Sequence, residues 1–354
     1  MKIATVVGAR PQFIKAAPVS KVLRQTGTEY LIHTGQHYDQ NMSQIFFDDL
    51  EIPRPDVNLG LGSASHAIQT GQMMIGIEKE LQQVRPDLLL VYGDTNSTLA
   101  GALAATKINI PVAHVESGLR SFNRQMPEEI NRILTDRISD WLFCPTNTAV
   151  ENLKQEGITR GVHQVGDVMY DAALRFGEIA ERKSTILRRL ELAPKQFMLA
   201  TVHRPNSTDS VENLTNIIQA FLASPVKIVF PVHPRTVGFL KKFNLWPSLQ
   251  DSATVLLIEP VSYLDMLLLE KNAAKILTDS GGIQKEAYFY QVPCITLREE
   301  TEWVETVADG WNTLVGTDKK QILAAIENFN PQTQQRALFG TGQASEKIVQ
   351  LLNQ

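Results

Sequence analysis

The chain has only two cysteines in 354 residues, Cys144 and Cys294. Each lies beside a proline in an apolar, strand-like run, so buried free thiols are expected rather than a disulfide or a metal pair. That usage suits a reducing compartment. No apolar run approaches the span of a bilayer. The opening run, Met1 to Gly8, is too short and too soon interrupted for a secretory leader, and a cytoplasmic setting is expected. Charge of one sign is not in large excess: the formal net charge is −4, which argues against a general nucleic-acid or membrane-surface binder. Any anionic ligand must therefore be met by local Arg, Lys and His. Several motifs are missing as well. The first turn, Gly8-Ala9-Arg10-Pro11, lacks the Gly-x-Gly-x-x-Gly of dinucleotide sites. Neither His203 nor His233 has zinc-ligand spacing, and Asp-x-Asp, a common metal–diphosphate anchor, does not occur. No Gly-x-Ser-x-Gly turn or ordered Ser-His-Asp set is present. No metal and no cofactor are expected.

What is present is an ordinary globular balance, 43% hydrophobic and 20% charged, in a chain long enough for two domains. Strand-like and helix-like segments alternate. Residues 2–7, 29–33, 87–92, 111–115, 140–144 and 162–165 read as strands of a first half, with helices at 11–25, 42–50, 66–84 and 128–137. Residues 167–194 read as a helical linker whose Glu181-Arg182-Lys183 face is solvated. The alternation restarts with strands at 197–202, 227–232, 253–258, 273–277 and 292–297. Two such series imply α/β architecture, with two doubly wound, Rossmann-like parallel-sheet domains. Boundaries are expected at 1–168 and 169–340, with 341–354 as a closing helical segment.

In doubly wound sheets, ligands bind beyond the carboxyl ends of the strands. Arg10, His37, Asp94, Glu116, His203, His233 and Ser280 all fall at or just past such ends, which points to a cleft shared by the two domains. The densest stretch is Thr278-Asp279-Ser280-Gly281-Gly282-Ile283-Gln284-Lys285-Glu286. A strand, a Ser-Gly-Gly turn and a helix present free backbone N–H groups and a positive dipole end to an anion. Ser280, Gly281 and Gly282 are its candidate contacts, and Glu286, about a turn further on, could accept from a sugar hydroxyl; the alternative is a plain connecting turn. Arg10 and Lys15 could reach a phosphate, against the alternative of solvated cations. Asp94, Glu116 and Glu128 are carboxylates able to move protons where their surroundings differ. A helix-cap role for Asp94 and a first-turn dipole role for Glu128 compete with that reading. Glu116 has Arg120, Arg124 and Arg132 nearby in sequence.

The chain resembles the non-hydrolysing UDP-N-acetylglucosamine 2-epimerase family. The matching segments are Gly8-Ala9-Arg10-Pro11, Thr34-Gly35-Gln36-His37, Tyr92-Gly93-Asp94-Thr95, His114-Val115-Glu116-Ser117-Gly118-Leu119-Arg120, Met126-Pro127-Glu128-Glu129-Ile130-Asn131-Arg132, Leu277-Thr278-Asp279-Ser280-Gly281-Gly282-Ile283-Gln284 and Thr301-Glu302. The resemblance implies a fold like the two-domain GT-B glycosyltransferases, a homodimer, and a last helix that crosses back to the first domain. It implies inversion at C2 of a UDP-linked N-acetylhexosamine by elimination of UDP, a 2-acetamidoglucal intermediate, and re-addition of UDP. Asp94, Glu116 and Glu128 would then serve proton transfer and oxocarbenium stabilisation, and Arg10, Lys15, His203 and Arg204 would hold the diphosphate. Glu286 would take the ribose, and Met266 falls where the family stacks an aromatic on uracil. Gln36, His37 and His233 correspond to positions lining an effector site in some members. Three departures stand out: Asn206 in His203-Arg204-Pro205-Asn206-Ser207 where the family has Glu, Trp303-Val304 in place of Arg-Pro after Thr301-Glu302, and Met266 itself. The Trp303 form resembles the branch acting on UDP-2,3-diacetamido-2,3-dideoxy-glucuronate for O-antigen synthesis. A GT-B glycosyltransferase using a UDP-sugar is the further alternative.

Overall fold

The computed structural model describes residues 1–36, 47–48 and 50–354. The chain forms two compact units: Met1–Arg175 with Ala337–Gln354, and Phe176–Arg336. The divisions thus fall at Arg175 and Arg336, a few residues from 168 and 340. Most of the helix expected at 42–50 lies outside the described residues.

The first unit is built on strands β1 (Lys2–Val7), β2 (Thr28–His33), β3 (Val57–Asn58), β4 (Leu88–Tyr92), β5 (Val112–Val115), β6 (Trp141–Cys144) and β7 (Val162–Gln164). They lie in the order β3-β2-β1-β4-β5-β6-β7, every pair parallel. Parallel pairing needs crossovers, and helices such as Arg10–Thr26, His66–Val84 and Asn96–Lys107 supply them. They cover both faces of the sheet, which is why β4, Leu-Leu-Leu-Val-Tyr, is apolar and buried at every position. Val6 is paired on one side with Ile32 and on the other with Val91, so β1 is where the winding changes direction.

The second unit repeats the plan with β8 (Met198–Thr201), β9 (Ile228–Pro231), β10 (Val255–Ile258), β11 (Ile276–Thr278), β12 (Cys294–Thr296) and β13 (Asn312–Leu314). Their order is β10-β9-β8-β11-β12-β13, again all parallel. β8 is the reversal strand here. Its core gathers Leu214, Ile217, Phe221, Phe230, Leu277 and Ile322, and the rings of Phe221 and Phe230 meet edge to face, 5.7 Å between centroids.

One expectation is met and a second needs correction. Residues 167–194 are helical and join the units: the helix Val168–Lys183 contains the division at Arg175–Phe176, and it buries Ala172, Ala173, Phe176, Ile179 and Ala180 at helical spacing. Its charged end, Glu181-Arg182-Lys183, is exposed. The second concerns the Ser-Gly-Gly stretch. Gly281 and Gly282 are the first residues of the helix Gly281–Phe289, with Ser280 as its N-cap, so the glycines belong to the helix rather than to a turn before it. The closing helix Ala344–Leu352 packs in the first unit beside the helix Arg10–Thr26 and buries Ile348, Val349 and Leu352. The Asp171 carboxylate accepts from the backbone N–H groups of Ala344 and Ser345 at 3.1 and 2.7 Å and so anchors its start. No helix among the described residues is long and apolar enough to cross a membrane.

The Phe221–Phe230 contact sets a measurable expectation. Phe230→Ala should lower the stability of the second unit by about 3–5 kcal/mol, the range for emptying a packed aromatic site. Urea unfolding would read this, and a loss below about 1 kcal/mol would show a loosely packed core.

Candidate active site

In each unit the winding reverses between two neighbouring strands, and the loops leaving their carboxyl ends must diverge there. In the first unit those strands are β1 and β4. Gln12, on the helix that follows β1, joins the two loops. Its side-chain oxygen accepts from the backbone N–H groups of Gly8 and Ala9 at 2.8 and 3.2 Å, and its amide nitrogen donates to the Tyr92 carbonyl at 2.8 Å and to Thr98 Oγ1 at 3.0 Å. Arg10 opens that helix, half-buried. One turn along, Lys15 forms an ion pair with Glu116.

Glu116 follows β5 and is 8% exposed. Its φ is +71°, a left-handed backbone that is strained for a side chain of this size. Its own N–H and that of Ser117 both donate to the Phe143 carbonyl at 3.1 Å, which holds the bend. Gly93 closes the arrangement from the β4 side. Its φ is +65°, and a Cβ there would sit 3.3 Å from Glu116 Oε2 and 3.6 Å from Lys15 Nζ. Only glycine lets the β4 loop come this near the pair without crowding it.

Asp94, next in the chain, pairs with Arg132, while its carbonyl accepts from Asn131 Nδ2 at 2.9 Å. It does not cap the following helix; Thr95 does, with Oγ1 accepting from Thr98 N at 3.3 Å. Glu128 and Glu129 separate cleanly. Glu128 is exposed on the first turn of the helix Pro127–Ile138. Glu129 is buried and accepts from Ser121 N and Oγ, both at 2.9 Å, from Phe122 N at 3.0 Å and from Arg132 at 2.8 Å. Burial works to raise the Glu129 carboxyl, but the Ser121 donors, the Arg132 charge and the Phe122 N–H outweigh it and hold it below the usual range. Lys15 pairs with Glu116; Arg120 serves Asp136 and Glu156, and Arg132 serves Asp94 and Glu129.

Gln36, after β2, is buried. Its side-chain oxygen accepts from Ser97 N at 3.0 Å and Ser97 Oγ at 2.6 Å, and its carbonyl accepts from Gln69 at 3.1 Å. His37 lies outside the described residues.

In the second unit the reversal lies between β8 and β11, and Asp279 does there what Gln12 does in the first. Asp279 is fully buried. It accepts from His203 N at 3.0 Å and from Arg204 N at 2.8 Å, tying the end of β8 to the end of β11. Its carboxylate also lies 3.5 Å from His203 Nδ1. Burial depresses the His203 imidazole; Asp279 opposes that, but His233 and Arg204 add to it, so the ring is held below its ordinary value. The His203 and His233 rings are 5.9 Å apart. His233 also caps the helix Pro234–Lys242, Nδ1 accepting from Arg235 N at 3.2 Å.

Ser280 makes no side-chain cap to its own helix, and its N–H donates to Thr278 Oγ1 at 2.9 Å. A Cβ on Gly281 would lie 3.4 Å from Glu302 Oε2, 3.5 Å from Trp303 Nε1 and 3.8 Å from an Arg204 guanidinium nitrogen. Gly281 therefore keeps the helix N-terminus open between a cation, a carboxylate and an indole N–H, with Gly282 beside it. Glu302 is itself paired with Arg298 through two 3.0 Å contacts. The Lys285 ammonium stands 4.2 Å above the Trp303 ring. Asn206 is exposed on the one-turn helix Pro205–Thr208.

Glu286 is buried and accepts from Tyr263 OH at 3.0 Å. Met266 is half-buried one turn along from Tyr263 on the helix Tyr263–Asn272, and Glu270 lies a further turn on. Glu270 is wholly buried, and neither of its carboxylate oxygens has a hydrogen-bond partner. Burial, and after it the neighbouring Glu286 charge, push it far above the usual carboxylate range. Burial raises Glu286 to about 7, with Tyr263 and Lys285 opposing.

Among the described residues no group of three or more His, Cys, Asp or Glu could hold a metal. Sequence reasoning passed over Gln12, His114, Asp136, Asp279, Tyr263 and Glu270. Asp279 was within reach, because an acid preceding a Ser-Gly-Gly N-cap is a natural partner for the amides of a neighbouring strand end. The others declare themselves only in three dimensions.

The Glu286 carboxyl gives a pH test. A carboxyl raised from 4.5 to about 7 binds a proton in the folded state that the unfolded chain has already released. Stability should therefore fall as pH rises between those values, by on the order of 3 kcal/mol. Glu286→Gln should remove its part of that fall in urea unfolding measured from pH 5 to 7.5 and leave the part that the raised Glu270 adds; an unchanged slope would show that Glu286 titrates normally.

With this geometry in place, comparison with known proteins is direct. The sequence model of the UDP-N-acetylglucosamine 2-epimerase family matches residues 21–353. A UDP-N-acetylglucosamine 2-epimerase homolog of Methanococcus maripaludis is 59% identical over 99% of both chains. The UDP-2,3-diacetamido-2,3-dideoxy-D-glucuronate 2-epimerase of Pseudomonas aeruginosa is 48% identical, also over 99% of both. The fold is similar to that of the Methanocaldococcus jannaschii UDP-GlcNAc 2-epimerase in its complex with UDP-GlcNAc and UDP. There the TM-score is 0.86 at 45% identity, covering 100% of this chain and 99% of that one. Reversal-point loops carrying acids in one unit and an anion-ready helix start in the other are thus features of a chain that belongs to the UDP-N-acetylglucosamine 2-epimerase family.

Proposed function

We propose that the protein is a non-hydrolysing 2-epimerase interconverting UDP-N-acetylglucosamine and UDP-N-acetylmannosamine type sugars. The observation that carries this reading is the Lys15–Glu116 pair on a strained strand end beside Asp94–Arg132. Those groups are what an elimination at C1–C2 asks for. The C2 proton is not acidified by a carbonyl, so its removal has to accompany departure of UDP from C1. A carboxylate among Asp94, Glu116 and Glu128 takes the C2 proton as the C1–O bond breaks, leaving a 2-acetamidoglucal and UDP. A proton then returns to the opposite face of C2, and the UDP oxygen re-forms the bond to C1. The ring develops positive charge as UDP leaves, which carboxylates stabilise, while the diphosphate takes up negative charge, which donors and cations stabilise.

In this reading the helix start at Ser280, Gly281 and Gly282 grips the diphosphate with Arg204 and His203, and Arg10 adds charge. The N-terminal amides favour an anion without a bound cation. Glu286 accepts from the ribose, and Met266 packs on the uracil. Retaining UDP is essential, since its loss would end in hydrolysis. A cytoplasmic homodimer completes the reading.

A second reading rests on the 48% identical diacetamido-glucuronate epimerase and on Trp303, which stands over Lys285 where the family pattern has Arg-Pro. It keeps the reaction and replaces the sugar.

In D2O, UDP-N-acetylglucosamine should gain deuterium at C2 and give the manno epimer by NMR. Glu116→Gln should slow exchange by about 10²–10⁴-fold, the usual contribution of a positioned acid or base. Exchange with the diacetamido-uronate alone would favour the second reading. Transfer to an acceptor without C2 exchange would indicate a glycosyltransferase, and binding without either would indicate a sensor.

A further inference from the structure

One buried constellation in the first unit is not used by the chemistry above. His114, on β5, has no exposed surface. Its Nε2 lies 2.7 Å from the Gly93 carbonyl, and its Nδ1 lies 2.7 Å from Asp136 Oδ1. A carbonyl oxygen can only accept. The other Asp136 oxygen accepts from Gly118 N at 3.1 Å and from the Arg120 guanidinium at 2.7 Å, an arrangement that fits an ionised carboxylate, which also only accepts. Arg120 in turn grips Glu156 through two contacts of 2.6 and 2.8 Å. Both ring nitrogens of His114 therefore face acceptors. A neutral imidazole could serve one of them and would leave a buried acceptor opposite a lone pair.

The placement of these partners gives the network a purpose. Gly93 is the left-handed residue that brings the β4 loop against Lys15 and Glu116, and Asp94 follows it directly. Asp136 sits four residues beyond Arg132, on the same face of the helix Pro127–Ile138. Arg132 is the partner of Asp94. The loop after β4 is thus fastened to this helix by two rungs a turn apart, Asp94–Arg132 and Gly93–His114–Asp136. Glu116 lies two residues past His114 in the chain, and Glu128 lies on the same helix. One imidazole reaches every element that carries a carboxylate of the proposed site.

We infer that His114 is a positioning residue that donates from both ring nitrogens, to the Gly93 carbonyl and to Asp136, and so sets the spacing of Asp94, Glu116 and Glu128. The kinetic part rests on the epimerase reading; the hydrogen-bond part does not.

Two substitutions split the clip. In His114→Asn the side-chain nitrogen overlays Nδ1 and keeps Asp136 while releasing Gly93. In His114→Gln it overlays Nε2 and keeps Gly93 while releasing Asp136. With the full chain and UDP-N-acetylglucosamine, His114→Asn should lower kcat by about 100-fold with KM within about twofold, the scale for misplacing reacting groups by an ångström. His114→Gln should stay within about tenfold of wild type. In wild-type protein labelled with 15N-histidine, the ring signals absent from the His114→Gln spectrum should report protons on both nitrogens at the assay pH. An unprotonated ring nitrogen at His114 would overturn the inference. So would wild-type kcat in both variants alongside equal losses of thermal stability, the outcome for a residue that only packs. If His114→Asn fails to fold, the Gln variant and the ring signals still decide. If wild-type protein exchanges no C2 proton, the epimerase reading fails by itself and the ring signals still test the clip.

Discussion

A parallel sheet sends every strand out at the same edge, and where its winding reverses, two loops must part company. Much of the candidate site is arranged around that constraint, met once between β1 and β4 and again between β8 and β11. Loops that part leave amides and carbonyls without strand partners, and buried groups of that kind have to be satisfied. The two units answer the demand with different chemistry. In the first, the neutral amide of Gln12 reaches both loops with four hydrogen bonds. In the second, the charged carboxylate of Asp279 reaches from one strand end to the amides of the other. A neutral fastener leaves the first unit's local field to be set by Lys15, Glu116, Asp94 and Arg132. The Asp279 carboxylate holds the His203 and Arg204 amides, and with them the side chains of that strand end, in place.

Electrostatic surroundings divide the acids by task. Glu129 is saturated by donors and serves as a buckle for the loop before its helix. Glu270 is starved of donors, and burial pushes its carboxyl far up. Glu116 and Asp94 lie between these extremes, Glu116 paired with Lys15 and Asp94 with Arg132. The carboxylate count in the sequence thus overstates the number of groups able to act as bases, and hydrogen-bond supply sorts them.

Much of the architecture was legible from residue order. Strand runs such as Leu88–Tyr92 are apolar throughout, turn residues punctuate them, and parallel sheets place the loops that follow at one edge; that logic located Asp94, Glu116, His203 and Ser280. The failures have one cause, pairing between residues far apart in the chain. His203 and Asp279 are separated by 76 positions and Lys15 and Glu116 by 101, and nothing local announces either contact. Proximity in sequence also misled: Arg120 lies four residues from Glu116 yet serves Asp136 and Glu156. The helix Val168–Lys183 is legible as the connection between the halves, whereas its buried alanines are small and add little to a hydrophobic pattern. Glu128 and Glu129 could not be told apart until the helix phase was known.

The backbone of Glu116 has a consequence for how such a site can change. Its left-handed φ turns the side chain away from the direction a strand would give it, and the shared Phe143 carbonyl holds it there. β-Branched residues are nearly barred from that conformation, glycine would relax it but brings no carboxylate, and asparagine or aspartate would fit it with a shorter reach. Position 116 is therefore a narrow gate for mutation on conformational grounds alone, before any chemistry is considered. Adaptation to a different sugar has freer ground elsewhere, at positions such as Asn206 and Trp303, where φ is negative and only the side chain would have to change.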